Sequence, residues 1–286
     1  MSDDFPRLFE APNEWSFAAQ HIAVFKMDEF HVAVEPDDDL RRELDFLAKR
    51  HIELEVSVTS VPTDNACGQK IEGMALNINQ PLNVIRKLKR LGASLAYVGL
   101  DGPLYYGHID QDRTACKYPL PELASRLART LRVVWELYPN VKIVDHDGPQ
   151  APPGYAALAE QWLDAYRDAT GRPLDGWAME VNWRSDWRER IAATTPVLRR
   201  HHIKTGLFLD ANGGPTVTDE SWMAQARQNG RDLKAAKFDL DFVMIITWMQ
   251  HPRRMVPETD PLAFTSLVDW YVRYPGSDPA GAAPAR

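Results

Sequence analysis

LAYVGLDGPLYYGH, Leu95 to His108, is the stretch on which the fold turns. Leu95 to Leu100 is an apolar run of strand length, and Asp101 breaks it. Gly102-Pro103 then turns the chain, and Tyr105, Tyr106, Gly107 and His108 follow. A buried strand that ends in a carboxylate and opens into an aromatic, polar loop belongs at the C-terminal edge of a parallel sheet covered by helices. The rest of the chain repeats that pattern.

Upstream, His51 to Val58 alternates strictly, with Ile52, Leu54, Val56 and Val58 on one face and Glu53, Glu55 and Ser57 on the other. His21 to Met27 is a further short strand. Downstream, strands are expected at Val141 to Asp145, Gly176 to Trp183, Thr205 to Asp210 and Phe242 to Trp248. Helices are expected at Leu40 to Arg50, Pro81 to Leu91, Pro121 to Leu137, Gly154 to Thr170, Trp187 to His202, Asp219 to Phe238 and Pro261 to Tyr271. Gly171 closes the fourth of these, and Thr218 is placed to cap the sixth. Thr59 to Asn79 reads as a long loop. Asp37, Asp38 and Asp39 open a helix, where favourable interaction with the helix dipole explains them better than a metal cluster does.

Strand, loop and helix alternate at spacings of roughly 30 to 45 residues, which predicts an α/β fold of the (β/α) barrel type. Seven strands are clear. The eighth is expected in Phe5 to Ala11, or the barrel is irregular. A doubly wound open sheet is the runner-up, but neither GxGxxG nor GxxxxGK[ST] occurs. One domain is expected over residues 1–275, followed by a disordered tail over 276–286 rich in Gly, Ala and Pro.

Composition narrows the partners. The chain has 286 residues with a net charge of -7, and no basic patch with interleaved aromatics, which argues against nucleic acid. No apolar run approaches a membrane span, about 18 residues. The acidic start Met1-Ser2-Asp3-Asp4 fits a cytoplasmic chain, or a secreted one whose signal has been removed. Nine tryptophans suit either core filling or a site for flat or sugar-like ligands. Oligomeric state is not encoded in any of these features.

Acids recur at strand ends: Glu55, Asp101, Asp145, Glu180 and Asp210, with Trp248 at the last strand. In a barrel these are expected to converge on one mouth, where mutual repulsion calls for a ligand or a mechanism. No His-x-x-x-His or comparable spacing points to a metal, and no cofactor is implied.

Six segments carry a resemblance: CGQKIEG (Cys67–Gly73), LDGPLYYGH (Leu100–His108), VDHDGP (Val144–Pro149), MEVNW (Met179–Trp183), LDANGG (Leu209–Gly214) and TWMQHPRRMVPETDP (Thr247–Pro261). From about His21 to Tyr271 the chain resembles a little-described bacterial family of glycoside-hydrolase-like TIM-barrel proteins. The most specific pieces are the D-x-P-L-Y-[FY]-G-H and H-P-x-R-x-[LV]-P-E-T segments. The resemblance implies a TIM barrel with its site at the C-terminal mouth. Two departures stand out. Gly102 replaces a glutamate that follows the strand-end aspartate in the family pattern, and Glu180 with Asn182 stand where the family often reads D-x-D-W.

Glycoside hydrolysis needs one protonated and one ionised carboxyl across the scissile bond. Asp101 and Glu180 are the expected pair, with Glu55 and Asp210 as competitors. Glu72, Tyr106, His108, Asp145, Asn182, Trp183, Asn212, Trp248 and His251 are candidates for binding a small polyhydroxylated or glycosidic substrate. The same carboxylates and aromatics also suit a cyclase, isomerase or lyase that stabilises a cationic intermediate, or a non-catalytic carbohydrate-binding barrel. Cys67 and Cys116 follow consecutive strands in neighbouring loops, so a disulfide is geometrically open to them, with two free thiols slightly favoured. A bridge would tie the two longest mouth loops together and argue for an oxidising compartment.

Overall fold

The computed structural model describes residues 4–63, 67–148, 154–211, 213–214, 216–247 and 250–275. The strands are β1 (Val24–Asp28), β2 (Glu53–Val58), β3 (Val61–Pro62), β4 (Met74–Ala75), β5 (Leu95–Asp101), β6 (Lys142–Asp147), β7 (Gly176–Met179), β8 (Lys204–Leu209) and β9 (Phe242–Ile245). The helices are α1 (Arg7–Glu10), α2 (Ser16–His21), α3 (Glu29–Val34), α4 (Asp37–Lys49), α5 (Asn79–Arg90), α6 (Leu120–Leu137), α7 (Tyr155–Thr170), α8 (Trp187–Arg200), α9 (Asp219–Ala236) and α10 (Phe264–Arg273). The chain's contacts fall into two compact units. One comprises 22–208 and 240–244; the other comprises 1–21, 209–239 and 245–286.

The larger unit holds the sheet. Seven strands lie in the order β1-β2-β5-β6-β7-β8-β9, and every pairing from β1 to β8 is parallel. Helices alternate with the strands, the arrangement of a (β/α) barrel. The predicted strand Leu95 to Asp101 is β5 to the residue.

Parallel register fixes which side chains share a face. Lys26 lies beside Glu55, Ser57 beside Gly99, Asp101 beside His146, His146 beside Ala178, and Ala178 beside Gly206. The opposite face carries Val58, Leu100, Asp145 and Trp177. This second face is the helix side, because Trp162 of α7 reaches Asp145 there. Val56, Val58, Val98, Leu100, Ile85, Leu88, Leu127 and Val134 are buried almost completely. Each such side chain stabilises the fold by about 1.5–3 kcal/mol relative to exposure.

Local chemistry sets the helix ends. Thr218 caps α9 as expected, in a reciprocal box with Ser221. Gly171 closes α7 with φ 71°, a left-handed conformation that costs glycine little. Asp37, Asp38 and Asp39 lie in the first turn of α4 and pair with Arg90, Arg41 and Arg42. No group of three or more His, Cys, Asp or Glu is arranged to hold a metal ion among the described residues.

Some expectations are corrected. Phe5 to Ala11 is not the eighth strand. It carries α1, and Trp15 donates its indole N–H to Leu8 O at 2.6 Å, closing this segment into helical turns. Thr59 to Asn79 is not wholly loop, because β3 and β4 pair there in a two-stranded parallel sheet too short to be seen in residue pattern. The strand expected over Gly176 to Trp183 stops at Met179. The tail expected over 276–286 lies outside the described residues. No helix among the described residues is long and apolar enough to cross a membrane.

The smaller unit has its own core. Ala211, Trp222, Met223, Ala226 and Leu267 are buried together, with Val217, Ile245, Phe264 and Trp270 packed against them.

Candidate active site

β5 delivers Asp101 to the strand end, and the chain beyond it forms a single wide π-type turn over Tyr105–Ile109. Asp147, at the end of β6, holds that turn in place. Its carboxylate accepts the N–H of Tyr105 at 2.9 Å, the N–H of Gly148 at 2.9 Å and the hydroxyl of Tyr155 at 3.2 Å. The turn directs Tyr106 back over the strand end, where its phenol donates to Glu72 Oε2 at 2.7 Å. Two glycines make room for its ring. A Cβ at Gly102 (φ +50°) would stand 2.6 Å from Tyr106 Cδ2, and one at Gly73 (φ +74°) 2.5 Å from the same atom. The Tyr106 ring therefore occupies the space where a side chain at 102 would begin.

Asp101 is one of three carboxyls here raised well above the ordinary range, and the one of the three that stands at the end of β5. Burial, then the charge of Glu72, raises its carboxyl to about 7, against the opposing pull of Lys26. Half of this group is therefore protonated near neutral pH. Burial also raises Tyr106 far above the ordinary phenol range, with the Glu72 hydrogen bond and the Asp101 and Glu180 charges adding to it. Glu180 acts on Tyr105 and Tyr155 as well. Tyr106 thus lies within reach of the charges of Glu72, Asp101 and Glu180. Asp147 is raised to about 7 by burial despite its hydrogen bonds, and Asp145 well above the carboxylate range by burial and by Asp147.

On the same face of the sheet as Asp101, Glu55 Oε1 lies 2.9 Å from His146 Nε2, and Ser57 Oγ lies 3.5 Å from His146 Nδ1. Both rest over Gly99, where a Cβ would stand 2.2 Å from His146 Cε1. Glu55 Oε1 and His146 Nε2 thus lie side by side beneath the strand ends, in close contact but without hydrogen-bond geometry.

The other expected residues are placed as follows. Asp145 faces α7, not the mouth: it is fully buried and accepts the indole N–H of Trp162 at 2.8 Å. Strand alternation is the reason, since it turns His146 to the Asp101 face and Asp145 away. Asn182 lies beyond the end of β7, exposed, and its side chain accepts the N–H of Arg184 within a turn. Trp183 is buried and edge-on to Trp187 at 4.9 Å. His108 holds the carbonyl of Tyr118 at 2.7 Å. Asp210 and His251 belong to the smaller unit. Asp210 is buried, and its carbonyl accepts the amide of Asn229. His251 Nδ1 lies 2.6 Å from Asp219 Oδ1. Asn212 and Trp248 lie outside the described residues.

Cys67 and Cys116 are joined in a disulfide with Cα atoms 5.0 Å apart. Two free thiols were marginally expected. The bridge connects the segment that carries Glu72 with the one that follows Tyr106.

No protein-family model and no curated protein matches the sequence. Solved structures do. A psychrophilic glycoside hydrolase family 10 endo-β-1,4-xylanase superposes with a TM-score of 0.55 over 92% of this chain and 93% of its own, at 11% identity. An intracellular xylanase from Thermoanaerobacterium saccharolyticum gives 0.53 over 86% of each chain at 13% identity. Fungal β-1,4-galactanases give 0.51 over 82% and 80% at 10% identity. The chain has a TIM-barrel fold. At these identities the likeness concerns fold alone, and the chemistry must be argued from the side chains.

His146, Asp147, Tyr155 and Lys26 were not among the residues expected from sequence. The signal for His146 was present in Val144-Asp145-His146-Asp147, where alternation selects His146 once Asp101 is placed inward.

Proposed function

We propose that this protein is a glycosidase-like enzyme for a small polyhydroxylated or glycosidic substrate, with Asp101 as the proton donor and Glu180 as the ionised partner carboxylate. The observation that carries this reading is Asp101 raised to about 7 at a strand end. A carboxyl half protonated near neutrality can give its proton to a glycosidic oxygen as the bond breaks. Glu72 supports it as the nearby charge that favours the protonated form, and Tyr106 fixes Glu72. Glu180 lies close enough to influence the same tyrosine, which suits the second carboxyl of the pair. Glu55 fits that role less well because His146 lies against it. Active sites of TIM barrels lie at the C-terminal mouth, and Asp101 stands at the C-terminal end of its strand.

The test is a screen of aryl glycosides and soluble xylan and galactan with wild type, Asp101→Asn and Glu180→Gln. The expected result is turnover that falls by at least about 10²–10³-fold in each variant. Detected turnover that is unchanged in both variants rules the pair out.

A further inference from the structure

The unit formed by 1–21, 209–239 and 245–286 has a groove of its own, with a volume of about 610 Å³. Phe17, Arg227, Glu258, Asp269, Trp270 and Arg273 are among its lining residues. Both carboxylates in the wall are already committed. Glu258 accepts the backbone N–H groups of Phe17 at 3.0 Å and Ala18 at 2.9 Å. Asp269 accepts Arg273 Nε at 2.7 Å.

Arg227 has only neutral acceptors. Its guanidinium donates to Pro261 O at 2.7 Å and to Ser266 Oγ at 3.0 Å, and no carboxylate pairs with it among the described residues. Burial and the charge of Arg231, one turn further along α9, hold Arg227 below its ordinary range, and no acid opposes them. The cation is therefore fixed in direction, partly stripped of water and not neutralised. The other guanidinium, Arg273, is paired with Asp269 and set 3.7 Å over the Phe17 ring. The wall behind them is close-packed, since a Cβ at Gly230 of α9 would stand 2.8 Å from Trp270 Cζ3.

We propose that this groove binds a small oxyanion, the carboxylate or phosphate group of a compact polar molecule, with Arg227 as its cation. The planar guanidinium fork matches either group through paired N–H donors. The volume is that of a small-molecule site. An anion there supplies the countercharge that Arg227 lacks.

The experiment is calorimetric titration of the full chain at low ionic strength with inorganic phosphate, acetate and glucose 6-phosphate, and with glucose as the neutral control. The expected result is saturable binding of at least one oxyanion probe with Kd below about 1 mM, none of glucose, and binding weakened at least about tenfold in Arg227→Gln. Arg227→Lys retains part of the affinity. Binding of phosphate without acetate assigns the phosphate class, and the reverse assigns the carboxylate. No saturable heat from any oxyanion, or equal affinity in wild type and Arg227→Gln, overturns the site. Should Arg227→Gln fail to fold, the wild-type Tm carries the test: it rises in about 10 mM phosphate or acetate, and a Tm unmoved by both overturns the proposal.

Discussion

Tyr106 donates its phenol to Glu72 at 2.7 Å while its ring rests on Gly73 and Gly102. That one contact joins two loops, places a negative charge near Asp101 and fills the space beside Gly102. The mouth chemistry follows from it, and so do the predictions about Gly102, Glu72 and Asp101.

A side chain at 102 is not accommodated beside Tyr106. Gly102→Ala adopts an unfavourable positive φ and meets the Tyr106 ring, so it lowers stability by about 1–2 kcal/mol or more. Gly102→Glu does the same in the presence of Tyr106, and Gly102→Glu/Tyr106→Ala recovers part of the loss. Chemical denaturation of the three variants checks this.

Glu72→Gln removes the largest neighbouring charge that raises Asp101. The Asp101 carboxyl then titrates at lower pH, and the alkaline limb of the pH–rate profile moves to lower pH with it. A limb that stays in place breaks the link between these two residues.

Asp101 also has a stability signature. Its carboxyl is raised to about 7 in the folded chain, against about 4 when unfolded. Between those values the unfolded chain releases the proton and the folded chain keeps it, so this group's contribution to stability falls as pH rises through the window and levels off above it. Asp101→Asn is therefore more stable than wild type at pH 8, by about 1–2 kcal/mol after discounting for partial exposure, and shows no gain at pH 4. Urea midpoints at the two pH values measure the difference.

Trp162→Phe leaves the buried Asp145 carboxyl without its donor and costs about 1–3 kcal/mol. Because Asp145 faces α7, turnover per folded molecule stays within about twofold of wild type. A large loss of turnover without loss of stability places Asp145 in the reaction instead.

The disulfide predicts no free thiol in the denatured, unreduced chain and two after reduction. Reduction lowers stability by about 2–4 kcal/mol. It also loosens the Glu72–Tyr106 contact, because the bridge ties together the segments that carry them. Thiol titration beside a melting curve reads both effects.

Much of this was legible in the sequence. Leu95 to Asp101 was read to the residue because an apolar run with a charged stop and a Gly-Pro turn leaves one boundary. The capping box at Thr218 and the stop at Gly171 were equally plain, since both are local chemistry. What failed was non-local. Asp145 looked like a mouth residue because it ends an apolar run, but β6 continues two residues further and strand parity turns Asp145 toward Trp162. Asn182 was placed on a strand that ends at Met179. The wide turn at Tyr105–Ile109 has no residue code of its own; it is held by Asp147 from the next strand, a partner that no local window contains.

The most direct test of the central claim is a titration of the Asp101 carboxyl itself, by carbon-13 NMR of the aspartate-labelled full chain, with the resonance assigned by its loss in Asp101→Asn. A midpoint near 7 is expected in wild type and a lower one in Glu72→Gln. A wild-type midpoint near 4, the ordinary aspartate value, contradicts it.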